Sequence, residues 1–192
     1  MKTMTGVLTH GLTMTFVLAA ASLPLGRTAA ADTFKLESPT FKAKGPIPEK
    51  DYANAFGCSG TSASPELKWS GAPAGTKSFA VTVHDEDAPT GSGFWHWVVY
   101  NIPAAVQGLP AGASATTLPP GAVQGNTDIG KPGYLGPCPP PGRKHHYLFT
   151  VYALKVDKLP VEPGATAAVV GFTLWMNQLG KATLIGTGGP RK

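Results

Sequence analysis

The chain has 192 residues, with 16 Lys and Arg against 11 Asp and Glu and a formal net charge of +5. Its lysines, among them Lys42, Lys44, Lys68, Lys77, Lys131 and Lys155, are scattered rather than gathered into a stripe. That argues against nucleic acid as a partner and leaves the charge to serve solubility. In chain order, residues 1–31 read as a secretory signal peptide. Lys2 gives a weak positive start, Leu12 to Leu25 is mostly apolar, and Ala29-Ala30-Ala31 is a small-residue cleavage site before Asp32. The apolar run is short for a membrane span, no cysteine follows it to carry a lipid, and no second run is long enough to cross a bilayer. Residues 32–192 are therefore expected to be one soluble domain without a transmembrane anchor, periplasmic or secreted.

Within that domain, glycine and proline fall between apolar runs, as in short strands joined by turns. Strands are expected at Phe34 to Glu37, Glu66 to Ser70, Ser78 to Asp85, Trp95 to Ile102 and His146 to Lys155. The stretch from Gly108 to Pro132, rich in Gly, Ala, Thr and Pro, reads as a long surface excursion. From Ala165 to Leu179 the positions Val169, Phe172, Met176 and Leu179 follow helical spacing, with Gly180 as a stop. A short last strand, Ala182 to Ile185, follows. The fold class is mostly β: a sandwich of two antiparallel sheets with a C-terminal helix.

Residues two apart on a strand share a face. Phe79, Val81 and Val83 form an apolar row whose next member is Asp85. Phe94, Val98 and Tyr100 form another, containing His96, and His145 stands before a third made of Tyr147, Phe149 and Val151. If these strands are antiparallel neighbours, Asp85, His96 and His145 converge at the rim of the core as a small polar pocket. The same alternation turns His84 and His146 away. An imidazole pair can donate hydrogen bonds to an anion, and an inward carboxylate can fix the rings, so a phosphate-like or carboxylate guest is expected. No nucleophile elbow, phosphate-binding loop, dinucleotide fingerprint or helical zinc motif occurs, so no catalytic residue and no cofactor is assigned. A metal site lacks a diagnostic spacing, and none is assigned; a metal-assisted hydrolase is the weakest reading. Cys58 and Cys138, an even count in an oxidising compartment, are expected to form a disulfide closing a loop of about eighty residues. A reactive thiol near His145 is the alternative.

At these residues the chain resembles the phosphatidylethanolamine-binding protein family, in its bacterial Raf-kinase-inhibitor-like branch. The likeness runs through Ser64-Pro65-Glu66-Leu67 with Trp69, Asp85 to Pro89, Gly91 to Trp97 with Asn101-Ile102-Pro103, and Gly133-Tyr134 to Pro140. It continues in His145-His146-Tyr147 and closes in Ala182 to Thr187. The resemblance implies a β-sandwich with an anion pocket at one end, formed by Asp85, Asp87, His96, the Gly136-Pro137-Cys138 loop, His145 and Tyr147. It also implies a phosphate or phospholipid head group as ligand and a role other than catalysis. Glu86 stands where the family commonly has proline, which adds negative charge and freedom at the rim. Some members inhibit kinases or proteases. An exported protein is remote from cytoplasmic kinases, so the second reading is an inhibitor or regulator of an extracytoplasmic protein, acting through the 108–132 loop.

Overall fold

The computed structural model describes Met1 and residues 33–192, so nearly all of the expected signal peptide lies outside the described residues. Eight strands and one α-helix follow in order: β1 (Lys35–Glu37), β2 (Leu67–Ser70), β3 (Ser78–Asp85), β4 (Phe94–Pro103), β5 (Gly108–Leu109), β6 (Val123–Gln124), β7 (His145–Leu154), α1 (Ala167–Asn177) and β8 (Gln178–Gly188). Every strand pairing is antiparallel. The small sheet has the order β1-β2-β5 and the large one β6-β4-β3-β7-β8. The main core lies between them. Leu36, Leu67, Trp69 and Leu109 from the small sheet meet Phe79, Val81, Val83, Trp97, Phe149 and Val151 from the large one. Such interdigitation removes apolar surface from water, the main favourable term in folding. The far face of the large sheet is covered by α1, through Ala167, Val170 and Leu174 against Ala80, Val98, Tyr100 and Leu154.

Four expectations need correction. The row Phe94, Val98, Tyr100 does not share one face. Val83 pairs with Trp97 and His84 with Trp95, which leaves His96 as the extra residue of a bulge. The bulge reverses the phase of β4, so Trp97 and Val99 join the main core while Val98 and Tyr100 face the helix. Further on, Tyr100 and Asn101 stand together opposite Ala80, with Asn101 at a φ of 58° and its side-chain carbonyl accepting the Leu159 N–H at 2.7 Å.

The last strand is not short. It runs through eleven residues and pairs with β7 along its whole length, because the helix ends at Asn177 and the chain enters β8 directly rather than stopping at Gly180. The expected helical row also points the wrong way: Val169, Phe172, Met176 and Leu179 are exposed, together with Trp175. The segment is apolar on both sides, so its periodicity offers two rows, and the row of Ala167, Val170 and Leu174 is the one the sheet can receive. Finally, the 108–132 stretch is not a free excursion. It contributes β5 and β6, and Gln124 pins it to the core: its side-chain carbonyl accepts from the Trp97 indole at 2.9 Å and the Ser114 hydroxyl at 2.7 Å. The Gln124 amide donates to the Ser114 carbonyl at 3.0 Å. Cys58 and Cys138 are bonded as expected, with their Cα atoms 6.0 Å apart.

Candidate functional site

The exit of β3 lies between the entrances of β4 and β7. Asp85 stands opposite Phe94 on one side and Tyr147 on the other, so the two flanking registers carry His96 and His145 to the same end of the sheet. All three polar residues are buried. The His145 Nδ1 lies 2.8 Å from the Asp85 Oδ2. His96 is held differently. Its Nδ1 lies 2.8 Å from the Leu135 carbonyl, whose residue also donates its N–H to the His96 carbonyl at 2.9 Å. The His96 Nε2 stands 3.9 Å from the Asp85 Oδ2, beyond hydrogen-bond length. Asp85 thus orients His145, whereas Leu135 orients His96. The His96 ring is further clamped between Phe94, at 4.9 Å between centroids, and the edge of Tyr147, at 5.2 Å.

The other oxygen of Asp85 accepts the Asp87 N–H at 3.0 Å, which starts the turn from β3 towards β4. The turn closes at Gly93, whose φ is +75° and where a Cβ would come within 2.6 Å of the Asp85 carbonyl oxygen. Only glycine lets the chain double back here. Gly136 has a similar role on the opposite wall, since a Cβ there would lie 2.4 Å from the Asp51 carbonyl. These walls enclose a cavity of about 190 Å³ with Asp85, His96 and His145 in its lining. Phe56, Phe94, Leu135 and Pro140 supply most of the apolar remainder, with Gly136 and Cys138 on one side. Its size is below that of drug-sized pockets and fits an ion or a small head group.

Both Nδ1 atoms face acceptors, a carbonyl and a carboxylate, so each must carry a proton. In a neutral imidazole the remaining Nε2 is then an acceptor. It becomes a donor only when the ring is protonated. Burial pushes the His96 pKa below its ordinary value, more than the Leu135 bond and the Asp85 charge raise it. Burial, and then the adjacent Asp85 carboxylate, push the Tyr147 phenol well above its usual range, so it stays neutral.

Residues 37–189 match the family model described as phosphatidylethanolamine-binding protein. The chain belongs to the phosphatidylethanolamine-binding protein family. It is 49% identical to the UPF0098 protein YbcL of Escherichia coli over 161 residues, 82% of this chain and 88% of that one. To YbhB of the same organism it is 46% identical over 140 residues, 72% of this chain and 89% of that one. The crystal structure of E. coli YbcL, described as a member of the mammalian family, is similar with a TM-score of 0.78 at 48% identity, covering 80% and 96% of the two chains. The Mycobacterium tuberculosis protein LppC, named as a candidate lipoprotein, is 36% identical over 162 residues, 82% of this chain and 73% of that one.

Of the site residues drawn from the family's motifs, Asp85, His96, Gly136, Cys138 and His145 line the cavity. Three do not. Tyr147 is fully buried behind His96. Pro137 is turned into the body of the protein, its carbonyl accepting the Ala53 N–H at 3.0 Å. Asp87 leaves the cavity because it belongs to the turn, where strand alternation no longer holds. It accepts the backbone N–H and faces the ring Nδ1 of His146, both at 2.7 Å. Burial alone would raise the Asp87 pKa, but these two bonds and the His146 charge outweigh it and hold it below the usual carboxylate range. Glu86 is exposed and forms no part of the wall.

Two residues that shape the site were not singled out from the sequence. Leu135 acts through its backbone, which side-chain patterns do not record. Phe56 reaches the rim from the loop that the Cys58–Cys138 disulfide ties beside the pocket wall. Among the described residues no group of three or more His, Cys, Asp or Glu side chains is disposed to hold a metal ion.

Proposed function

We propose that this protein is an extracytoplasmic binding protein whose pocket takes a small phosphate-type anion together with a proton. One observation carries the reading: two imidazoles and one carboxylate, all buried, share the lining of a cavity of about 190 Å³ whose other walls are largely apolar. Low-dielectric walls strengthen the charge interactions of whatever enters. The disulfide, the leader expected from the sequence, and the candidate-lipoprotein name of LppC support a place outside the cytoplasm.

The tautomers set the sign of the pH dependence. In the empty pocket the neutral His96 ring presents its Nε2 as an acceptor beside the Asp85 carboxylate. A bare anion is repelled there. An anion that brings a proton, or meets a protonated ring, gains a charge-assisted hydrogen bond instead. Binding then takes up one proton, and affinity rises about tenfold per pH unit as pH falls through the neutral range. An ammonium group would instead suit the His96 Nε2 acceptor and the Asp85 carboxylate, and would bind more tightly as pH rises. Calorimetric titration with inorganic phosphate and with phosphoethanolamine between pH 5 and pH 8 separates these cases. We expect measurable heats that strengthen towards acid and are lost in His96→Ala and His145→Ala. Equal heats in the wild type and both variants would remove this pocket from the account.

A further inference from the structure

A second cavity, of about 430 Å³, adjoins the first. The two share Pro89, Pro140 and His145, so His145 stands at their junction. The rest of the second lining is Asp87, Arg143 and Lys144. Asp87 is already engaged with the backbone and ring of His146. Arg143 and Lys144 are exposed, and among the described residues neither has an ion-pair partner. The groove therefore offers two uncommitted cations beside a pocket already suited to one anionic group.

We infer that the groove lined by Arg143 and Lys144 is a second subsite, and that the preferred ligand is a phosphate monoester bearing a second acidic group. The inference rests on the reading of the first pocket as a phosphate site and adds the class of ligand. The phosphate lies in the inner cavity against His96 and His145. The second acidic group reaches past His145 and Pro140 into the groove, where the guanidinium can bind it by two parallel hydrogen bonds and the ammonium by charge. An ethanolamine ester would bring an ammonium group towards these two cations and gain nothing from them.

The test uses two ligands of one skeleton: glycerol 1-phosphate, ending in an alcohol, and 3-phosphoglycerate, ending in a carboxylate. Each is titrated against the full chain at fixed pH and 0.15 M salt, with inorganic phosphate as the reference. The carboxylate ester should bind about tenfold more tightly than the alcohol, the size expected of one charge-assisted hydrogen bond discounted for partial exposure. In the Arg143→Ala/Lys144→Ala double variant that ratio should fall to within about twofold of unity, while inorganic phosphate loses much less affinity. Lys42→Ala, remote from both cavities, should leave the ratio intact. Equal affinity of the two esters in the wild type, or a preference that survives in the double variant, would overturn the subsite. Failure of inorganic phosphate to bind the wild type would instead bring down the pocket reading, and the subsite with it.

Discussion

At the scale of single residues, the site depends on which ring nitrogen faces which acceptor. Asp85, His96 and His145 were legible as a convergent set because each stands at an end of an apolar strand, although the bulge breaks the row that joined His96 to Val98 and Tyr100. Their division of labour was not legible. His96 is governed by a backbone carbonyl 39 residues further along the chain, and no pattern of residue types encodes that contact. The consequence for stability follows from the sign of its pKa shift. The folded protein keeps His96 neutral below its ordinary value of 6.5, so the unfolded chain binds more protons than the folded one once pH drops below that point. The contribution is fully present above about pH 6.5 and is lost progressively as pH falls towards the lower folded value. Thermal unfolding in a phosphate-free buffer should show a melting temperature that declines from pH 7 to pH 5, and His96→Gln should flatten that decline. An identical slope in the variant would show that other groups govern it.

At the scale of elements, β1, β2, β3, β4 and β7 were read in place, β5 and β6 were missed, β8 was read too short, and strand phase was read less well. A single inserted residue reverses every face beyond it, and the bulge at His96 does this between the site and the core. The bulge places an imidazole and the Trp97 indole in succession on the same side of the sheet, which strict alternation forbids. The helix shows the opposite difficulty. Its sequence favours neither of its two apolar rows, and it is poor in strong helix formers, so packing against β3, β4 and β7 fixes both its existence and its rotation. Leu174 is fully buried while Phe172 and Trp175 are more than half exposed. Leu174→Ala should accordingly cost about 2–5 kcal/mol in denaturant unfolding. Phe172→Ser and Trp175→Ser should each change stability by only about 0.5 kcal/mol. If the two exposed aromatic residues prove as costly as Leu174, the helix is docked on its other face in solution.

At the scale of the whole molecule, the disulfide joins the segment at Cys58 to the wall of the pocket across a sequence separation of 80. Closing so long a loop reduces the freedom of the unfolded chain, worth about 4 kcal/mol in the chain-entropy model. The double variant Cys58→Ser/Cys138→Ser should lose stability of about that size. It should also bind phosphate more weakly than the wild type when both are folded, because Phe56 and Cys138 lose their common anchor at the rim. Unchanged affinity in a destabilised variant would confine the bridge to a purely structural role.

What the sequence determined by itself was local: the positions of most strands, the convergence of an aspartate with two histidines, the cysteine pairing and the family. These follow from two-residue alternation, from turn chemistry and from residue types at short spacing. Only the tertiary structure decided which helix row is buried, where β4 changes phase, that Asp87 turns to His146, and that Leu135 and Phe56 complete the pocket. Each of these depends on a contact between segments far apart in the chain, made through backbone atoms or through the shape of a neighbouring surface. Local pattern carries no record of such contacts until the sheets have packed.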